Sequence, residues 1–173
     1  MSPAPESALP GLPEDARACV VTVSDRSSRG ERPDTSGPLL AELLTALGLE
    51  VGPVVLVPDE VPAVQAALRE AASASYDLIV TTGGTGLSPR DVTPEATRPL
   101  LEREAPGIAE ALRRQGAQAV PTAVLSRGVS GTIGRSLVVN LPGSTGGVRD
   151  GVLVLEPVLA HALAQLRGGG DHR

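Results

Sequence analysis

Residues 81–91 read TTGGTGLSPRD and hold the densest set of groups that could do chemistry. Gly83, Gly84 and Gly86 allow a sharp turn and let a ligand approach the main-chain N–H groups closely. Successive N–H groups in such a turn form an anion-binding concavity. Asp91 closes this stretch, and Asp59 stands in a separate Pro58-Asp59-Glu60. Two carboxylates brought together beside a polyphosphate would suit Mg²⁺, which is held by one or two carboxylates plus phosphate oxygens. Glu60 reads instead as part of the first turn of a helix. Arg26, Arg29, Arg32 and Arg90 put positive charge nearby, and beside a glycine concavity they read as phosphate clamps. Plain readings stand next to these. A bare GGTG is a strand-to-loop turn, matching neither GxGxxG nor GxxxxGK[ST]. A lone Asp is a common turn or cap residue, and surface arginines usually just meet solvent.

These groups act together only if the fold brings them to one place. Ala18–Val23 is a short apolar run, as in a strand buried on both faces. Leu40, Leu43, Leu44 and Leu47 follow at helical spacing, with Pro38 just inside the start and Gly48 just past the end. Val51–Val57 reads as a second strand. Val61, Val64, Leu68 and Ala71 mark a second helix, and Leu78–Thr82 a third strand. This β-α-β-α-β alternation predicts an α/β fold: a mostly parallel sheet, right-handed crossovers and helices on both faces. A helix is expected to open at Thr93-Pro94-Glu95 with Thr93 as its cap. Gly128–Gly134 reads as a turn or hairpin leading into a further strand, Ser136–Asn140. The last helix carries Val148, Val152, Leu155, Leu159, Ala162 and Leu166, and Pro157 is expected to kink or split it.

In parallel sheets ligands bind outside the carboxyl ends of the strands. The segments that follow the four strands are Ser24–Gly30, Pro58–Glu60, Gly83–Asp91 and Leu141–Thr145. The topology predicts that all four meet on one edge, with small residues, hydroxyls, arginines and carboxylates suited to a phosphate-bearing ligand.

The 173 residues fit one domain, able to bury a core without disulfides or metals. Residues 1–15 and 168–173 lack periodicity and read as disordered tails around a domain at 16–167. A net charge of −5, with one Tyr and no Phe or Trp, argues against nucleic acid. All fifteen basic residues are Arg, so no lysine can serve as a Schiff base or P-loop ligand. Cys19 is the only cysteine, which excludes an intrachain disulfide and a thiolate metal cage. His161 and His172 lack partner spacing for a metal or a triad. No signal peptide or membrane span is read, so a soluble cytoplasmic location is expected.

The set as a whole resembles the Mog/MoaB family of molybdenum-cofactor biosynthesis proteins. The matching pieces run in order: Val23–Gly30 (VSDRSSRG), Asp34–Gly37 (DTSG), Pro58-Asp59-Glu60, TTGGTG through Pro89-Arg90-Asp91-Val92-Thr93-Pro94-Glu95-Ala96-Thr97, Leu125-Ser126-Arg127 and Val139–Ser144 (VNLPGS). The resemblance covers residues 16–167. It implies a three-layer α/β fold, a homotrimer and a pocket for molybdopterin, a pterin carrying a dithiolene and a terminal phosphate. It implies adenylylation of that phosphate by Mg²⁺ and ATP, with pyrophosphate leaving. A MoeA-type molybdenum-insertion enzyme is the implied downstream partner. By the same resemblance Asp59 and Asp91 are catalytic residues and Mg²⁺ ligands. Gly83, Gly84, Thr85 and Gly86 cradle phosphate. Ser24 and Asp25, with Arg26 and Arg90 beside them, complete the nucleotide side. Ser126 contacts molybdopterin, and Asn140, Gly143 and Ser144 close the pocket. Two other readings remain open: a non-catalytic molybdopterin carrier, and a CinA-like nucleotide pyrophosphatase on the same fold.

Overall fold

The computed structural model describes residues 8–169. A seven-stranded sheet lies at the centre of three layers. β1 (Arg17–Val23), β4 (Leu78–Thr82) and β7 (Ser136–Leu141) run parallel and side by side. Their side chains alternate between two buried faces. Ala18, Val20, Leu78, Val80, Leu137 and Val139 pack under α2 (Ser36–Ala46) and α6 (Thr145–Leu166). Cys19, Val21, Ile79 and Val138 pack under α3 (Val61–Ser73) and Ala96 of α4 (Thr93–Thr97). Burial on both faces is why these strands read as continuous apolar runs rather than alternating ones.

The expected single strand Val51–Val57 is two short ones, β2 (Glu50–Val51) and β3 (Val55–Val57), both parallel to β1. Gly52-Pro53-Val54 interrupts them. Pro53 has no N–H to give a ladder, and a Cβ at Gly52 would lie 2.2 Å from the Tyr76 hydroxyl. The other edge is antiparallel: β6 (Ser130–Ile133) forms a hairpin with β7, and β5 (Arg103–Glu104) pairs with β6.

Pro157 does not split α6, which is continuous over Thr145–Leu166. Its ring lies on the exposed side, while Leu155, Leu159 and Leu163 hold the buried face. The ladder loses only the bond from residue 157. Gly168, at φ +84°, ends the helix: its N–H donates to the Gln165 carbonyl and Gly169 N–H to that of Ala164. Residues 8–15, expected within a free tail, lie against the domain. Leu9 N–H donates to Leu47 O at 2.9 Å, and Leu9 and Leu12 pack on the core. The tail readings for 1–7 and 170–173 fall outside the described residues. No described helix is long and apolar enough to cross a membrane.

One sizeable element was absent from the sequence reading: α5 (Pro106–Ala117), followed by a 3₁₀ turn at Pro121–Leu125. Ile108 and Leu112 tuck it against the same core layer as α2 and α6.

Candidate active site

The carboxyl ends of β1, β3, β4 and β7 do meet on one edge. There they surround a cavity of about 600 Å³, whose far wall is α5 and the 3₁₀ turn after it. That volume lies in the range of small-molecule sites.

The glycine loop is its floor. Gly83 and Gly84 sit at φ +105° and +67°, where side chains are strained. Space forbids a side chain as well. A Cβ at Gly83 would meet the Val23 carbonyl oxygen at 2.3 Å, and one at Gly84 the Thr93 hydroxyl at 2.4 Å. Thr93 is the first residue of α4 rather than its cap. Its N–H donates to Gly84 O and its hydroxyl to Gly83 O, pinning the loop from below. The Gly84, Thr85 and Gly86 N–H groups donate to no acceptor among the described residues. Free N–H groups of this kind suit an anion.

Asp59 and Asp91 face the cavity from either side of this loop. Asp59 Oδ1 lies 3.1 Å from where a Gly84 Cβ would be, and Asp91 Oδ2 2.8 Å from that of Gly86. Asp59 is held by a reciprocal latch. Its Oδ2 accepts from Asp25 N–H at 2.7 Å, and its own N–H donates to Asp25 Oδ1 at 3.0 Å. Burial raises the Asp59 carboxyl above the ordinary range, and the neighbouring charges of Asp25 and Asp91 add to this. Asp91 Oδ2 accepts from Ser88 N–H at 3.1 Å.

The remaining predicted residues divide. Ser24, Thr85, Ser126, Gly143 and Ser144 line the cavity. Ser24 and Ser144 also cap helices. Their hydroxyls accept from Ser27 N–H in α1 (Asp25–Ser28) and from Gly147 N–H in α6. Asp25, Arg26 and Arg90 are not lining residues. Arg90 is a poor free phosphate clamp because it forms a fork with Asp25, at 2.8 and 2.9 Å. Burial opposes ionisation of Asp25, yet Arg90 and the Asp59 N–H hold its carboxyl below the ordinary range. The pair buttresses Asp59 from behind. Arg26 is exposed on α1. Asn140 touches the cavity, but its amide is engaged by the scaffold. Oδ1 accepts from Val129 N–H, and Nδ2 donates to the Thr81 and Thr97 hydroxyls. It ties β7, β4, α4 and the approach to β6 together.

A family profile described as "Probable molybdopterin binding domain" matches residues 19–161. A molybdopterin biosynthesis enzyme MoaB from Thermus thermophilus has a solved structure with a TM-score of 0.83 at 50% identity, covering 88% of this chain and 97% of that one. The chain belongs to the Mog/MoaB molybdopterin-binding family. A molybdopterin adenylyltransferase of Pyrococcus furiosus is 39% identical over 160 residues, 90% of this chain and 94% of that protein. A bifunctional molybdenum cofactor biosynthesis protein of Synechococcus elongatus is 41% identical over 169 residues, 98% of this chain but 53% of that protein. The chain thus spans about half the length of its bifunctional relatives. A CinA protein of Thermoplasma acidophilum, at 20% identity and TM-score 0.64, shares the fold alone.

Within this cavity, residue-by-residue reading missed Arg127, although its LSR triplet was part of the resemblance. Its N–H donates to Thr85 O, Nε to Gly86 O and Nη2 to Asp91 O, each at 2.8 Å, while Nη1 pairs with Glu95. One side chain therefore braces the glycine loop and the Asp91 backbone. Asp34 was quoted only within DTSG. It lines the cavity, accepts from the Thr22 hydroxyl at 2.7 Å and from Gly37 N–H at 3.0 Å, and so fixes the start of α2.

Proposed function

We propose that this chain transfers the adenylyl group of ATP to the terminal phosphate of molybdopterin. A phosphate oxygen of the pterin attacks the α-phosphorus, the bond to the β-phosphate oxygen breaks, and pyrophosphate leaves. The single observation that carries this reading is the pairing of Asp59 and Asp91 across a glycine loop with free N–H groups in one cavity. The relatives named for molybdopterin biosynthesis support the pterin as acceptor.

The charge balance supports a divalent cation. Four carboxylates line the cavity, those of Asp34, Asp59, Asp91 and Asp150, against the guanidiniums of Arg32 and Arg113. A bare polyphosphate would be repelled. No group of three or more His, Cys, Asp or Glu among the described residues is placed to hold a metal by itself. Asp59 and Asp91 each keep one carboxylate oxygen without a protein hydrogen bond among the described residues. This donor set fits Mg²⁺ that arrives with phosphate. When bound, Mg²⁺ would neutralise phosphate charge at the reacting centre. The chain's own part is positioning. The Gly84–Gly86 N–H groups receive phosphate oxygens, Asp25 and Arg90 fix Asp59, and Arg127 fixes the loop. Preorganised dipoles of this kind are the main means by which proteins accelerate phosphoryl transfer. We extend the proposal to a homotrimer that hands its product to a molybdenum-insertion enzyme.

Asp59→Asn preserves the shape of the latch and removes the charge. We expect it to fold and to lose adenylyl transfer by about a hundredfold or more. Pyrophosphate release at the wild-type rate would overturn the assignment of Asp59.

A further inference from the structure

A second cavity, of about 410 Å³, adjoins the first and shares Ala109, Arg113, Ser126 and Gly128 with it. Its other charged lining residues are already matched. Arg98 pairs with Glu104 at 3.0 Å, and Arg127 pairs with Glu95. Arg113, on α5, has no carboxylate partner among the described residues. Asp150 lies beside Gly116, one turn further along α5, and forms no ion pair with it. The Arg113 Nη1 donates to the Ser126 and Gly128 carbonyls, both at 3.3 Å, beyond the favoured range. Those two bonds hold the half-buried guanidinium at the seam of the cavities. Its Nε and Nη2 donate to nothing among the described residues, although the group carries five N–H donors in a planar fork.

Asp59 follows β3 and Gly128 leads into β6, so the two flank the glycine loop from opposite sides. Arg127, between Ser126 and Gly128, donates to the Thr85 and Asp91 carbonyls and so sets the seam against that loop. Asp59 and Asp91 suit a phosphate that brings its own cation. Arg113, free of any carboxylate partner among the described residues, suits an anion that arrives without one. The wall of the seam is apolar, formed by Leu112, Ala119, Val120, Ala123 and Leu125, and would accept a flat ring.

We propose that Arg113 binds the anionic group of the pterin substrate, with the fused ring against the α5 wall. The inference rests on the molybdopterin reading above and adds a residue to it. The shared ligand chemistry is a compact anion with two adjacent acceptor atoms, supplied in molybdopterin by the phosphate or by the dithiolene. A guanidinium fork takes such a pair in a bidentate manner, which an ammonium cannot.

The test is equilibrium binding to wild type, Arg113→Gln and Arg113→Lys. The probes are molybdopterin, a sulfur-free phosphorylated pterin and Mg-ATP. Mg-ATP binding reports whether the site is still folded. We expect Arg113→Gln to bind molybdopterin about tenfold more weakly or worse, with Mg-ATP affinity within about twofold of wild type. Arg113→Lys should fall between them. Weakening with both pterins assigns the phosphate; weakening with molybdopterin alone assigns the dithiolene. Unchanged pterin binding in Arg113→Gln overturns the inference and leaves the functional reading standing. Equal loss of Mg-ATP binding also overturns it, by making the role structural. A wild-type chain that binds no pterin overturns the functional reading, and the inference with it.

Discussion

Burial, and then the charges of Asp25 and Asp91, raise the Asp59 carboxyl above its ordinary value of 3.8. The ionised form is the one that can hold a cation, so activity must fall as the solution becomes acidic. The acid limb of the kcat/KM profile should lie above the ordinary Asp value. Asp25→Asn removes a neighbouring negative charge and leaves Arg90 without its partner, while residue 25 keeps the N–H that Asp59 accepts. Both changes favour ionised Asp59, so the limb should move to lower pH in that variant. A limb that stays in place would mean that a different group titrates. At this scale the sequence was informative about types and poor about commitments. Asp59, Asp91 and the glycines were readable because their chemistry is local. Arg90 and Asn140 were not, because their partners stand 65, 59 and 43 residues away.

Among elements, the β4–loop–α4 unit sets the geometry of the floor. Gly83 abuts both the Val23 carbonyl and Gly143, so three strand ends close on one point. Gly83→Ala adds a methyl 2.3 Å from backbone oxygen at φ +105°. It should cost about 1–3 kcal/mol of stability, measured by urea unfolding, and lower transfer activity further by moving the loop. Wild-type stability would show that β1 and β4 can separate there. The strands and the helices α2, α3 and α6 were legible because their apolar periodicity is strong. α5 was not. Its stretch Ile108, Ala109 and Leu112 is short, and Ala109 is its only fully buried residue. A helix that lines a cavity has little core face to declare itself. The break at Gly52-Pro53 and the position of Thr93 were one-residue matters of turn geometry, where pattern reading is weakest.

Across the whole molecule, the edge opposite the cavity is fastened by charge. Arg167, at the end of α6, reaches Asp77 at 2.8 and 2.9 Å and Asp15 at 2.7 Å, and Asp77 also accepts from Arg17 N–H. This joins the last helix, the start of β4 and the residues before β1. Burial works against ionised Asp77, but Arg167 and the Arg17 N–H hold its carboxyl below 3.8. A depressed folded value contributes stability above the unfolded value and loses it as pH falls through the folded one. Asp77→Asn should therefore be less stable than wild type at neutral pH by about 1–2 kcal/mol. The gap should narrow as pH falls through the ordinary Asp value of 3.8 and below it. A constant gap in thermal unfolding would trace the loss to packing instead. The family was legible from ordered motifs spread along the chain. The second cavity, whose walls come from three separate segments, was not.

The most direct test of the account supplies the purified chain with molybdopterin, Mg²⁺ and ATP labelled at the α-phosphate, and follows the label. Transfer of the label to the pterin, with pyrophosphate released in equal amount and both lost in Asp59→Asn, is the predicted result. Label appearing as free AMP whether or not pterin is present would contradict it and make the chain a nucleotide pyrophosphatase. Pterin binding with the label left in ATP would contradict it as well, and leave a carrier.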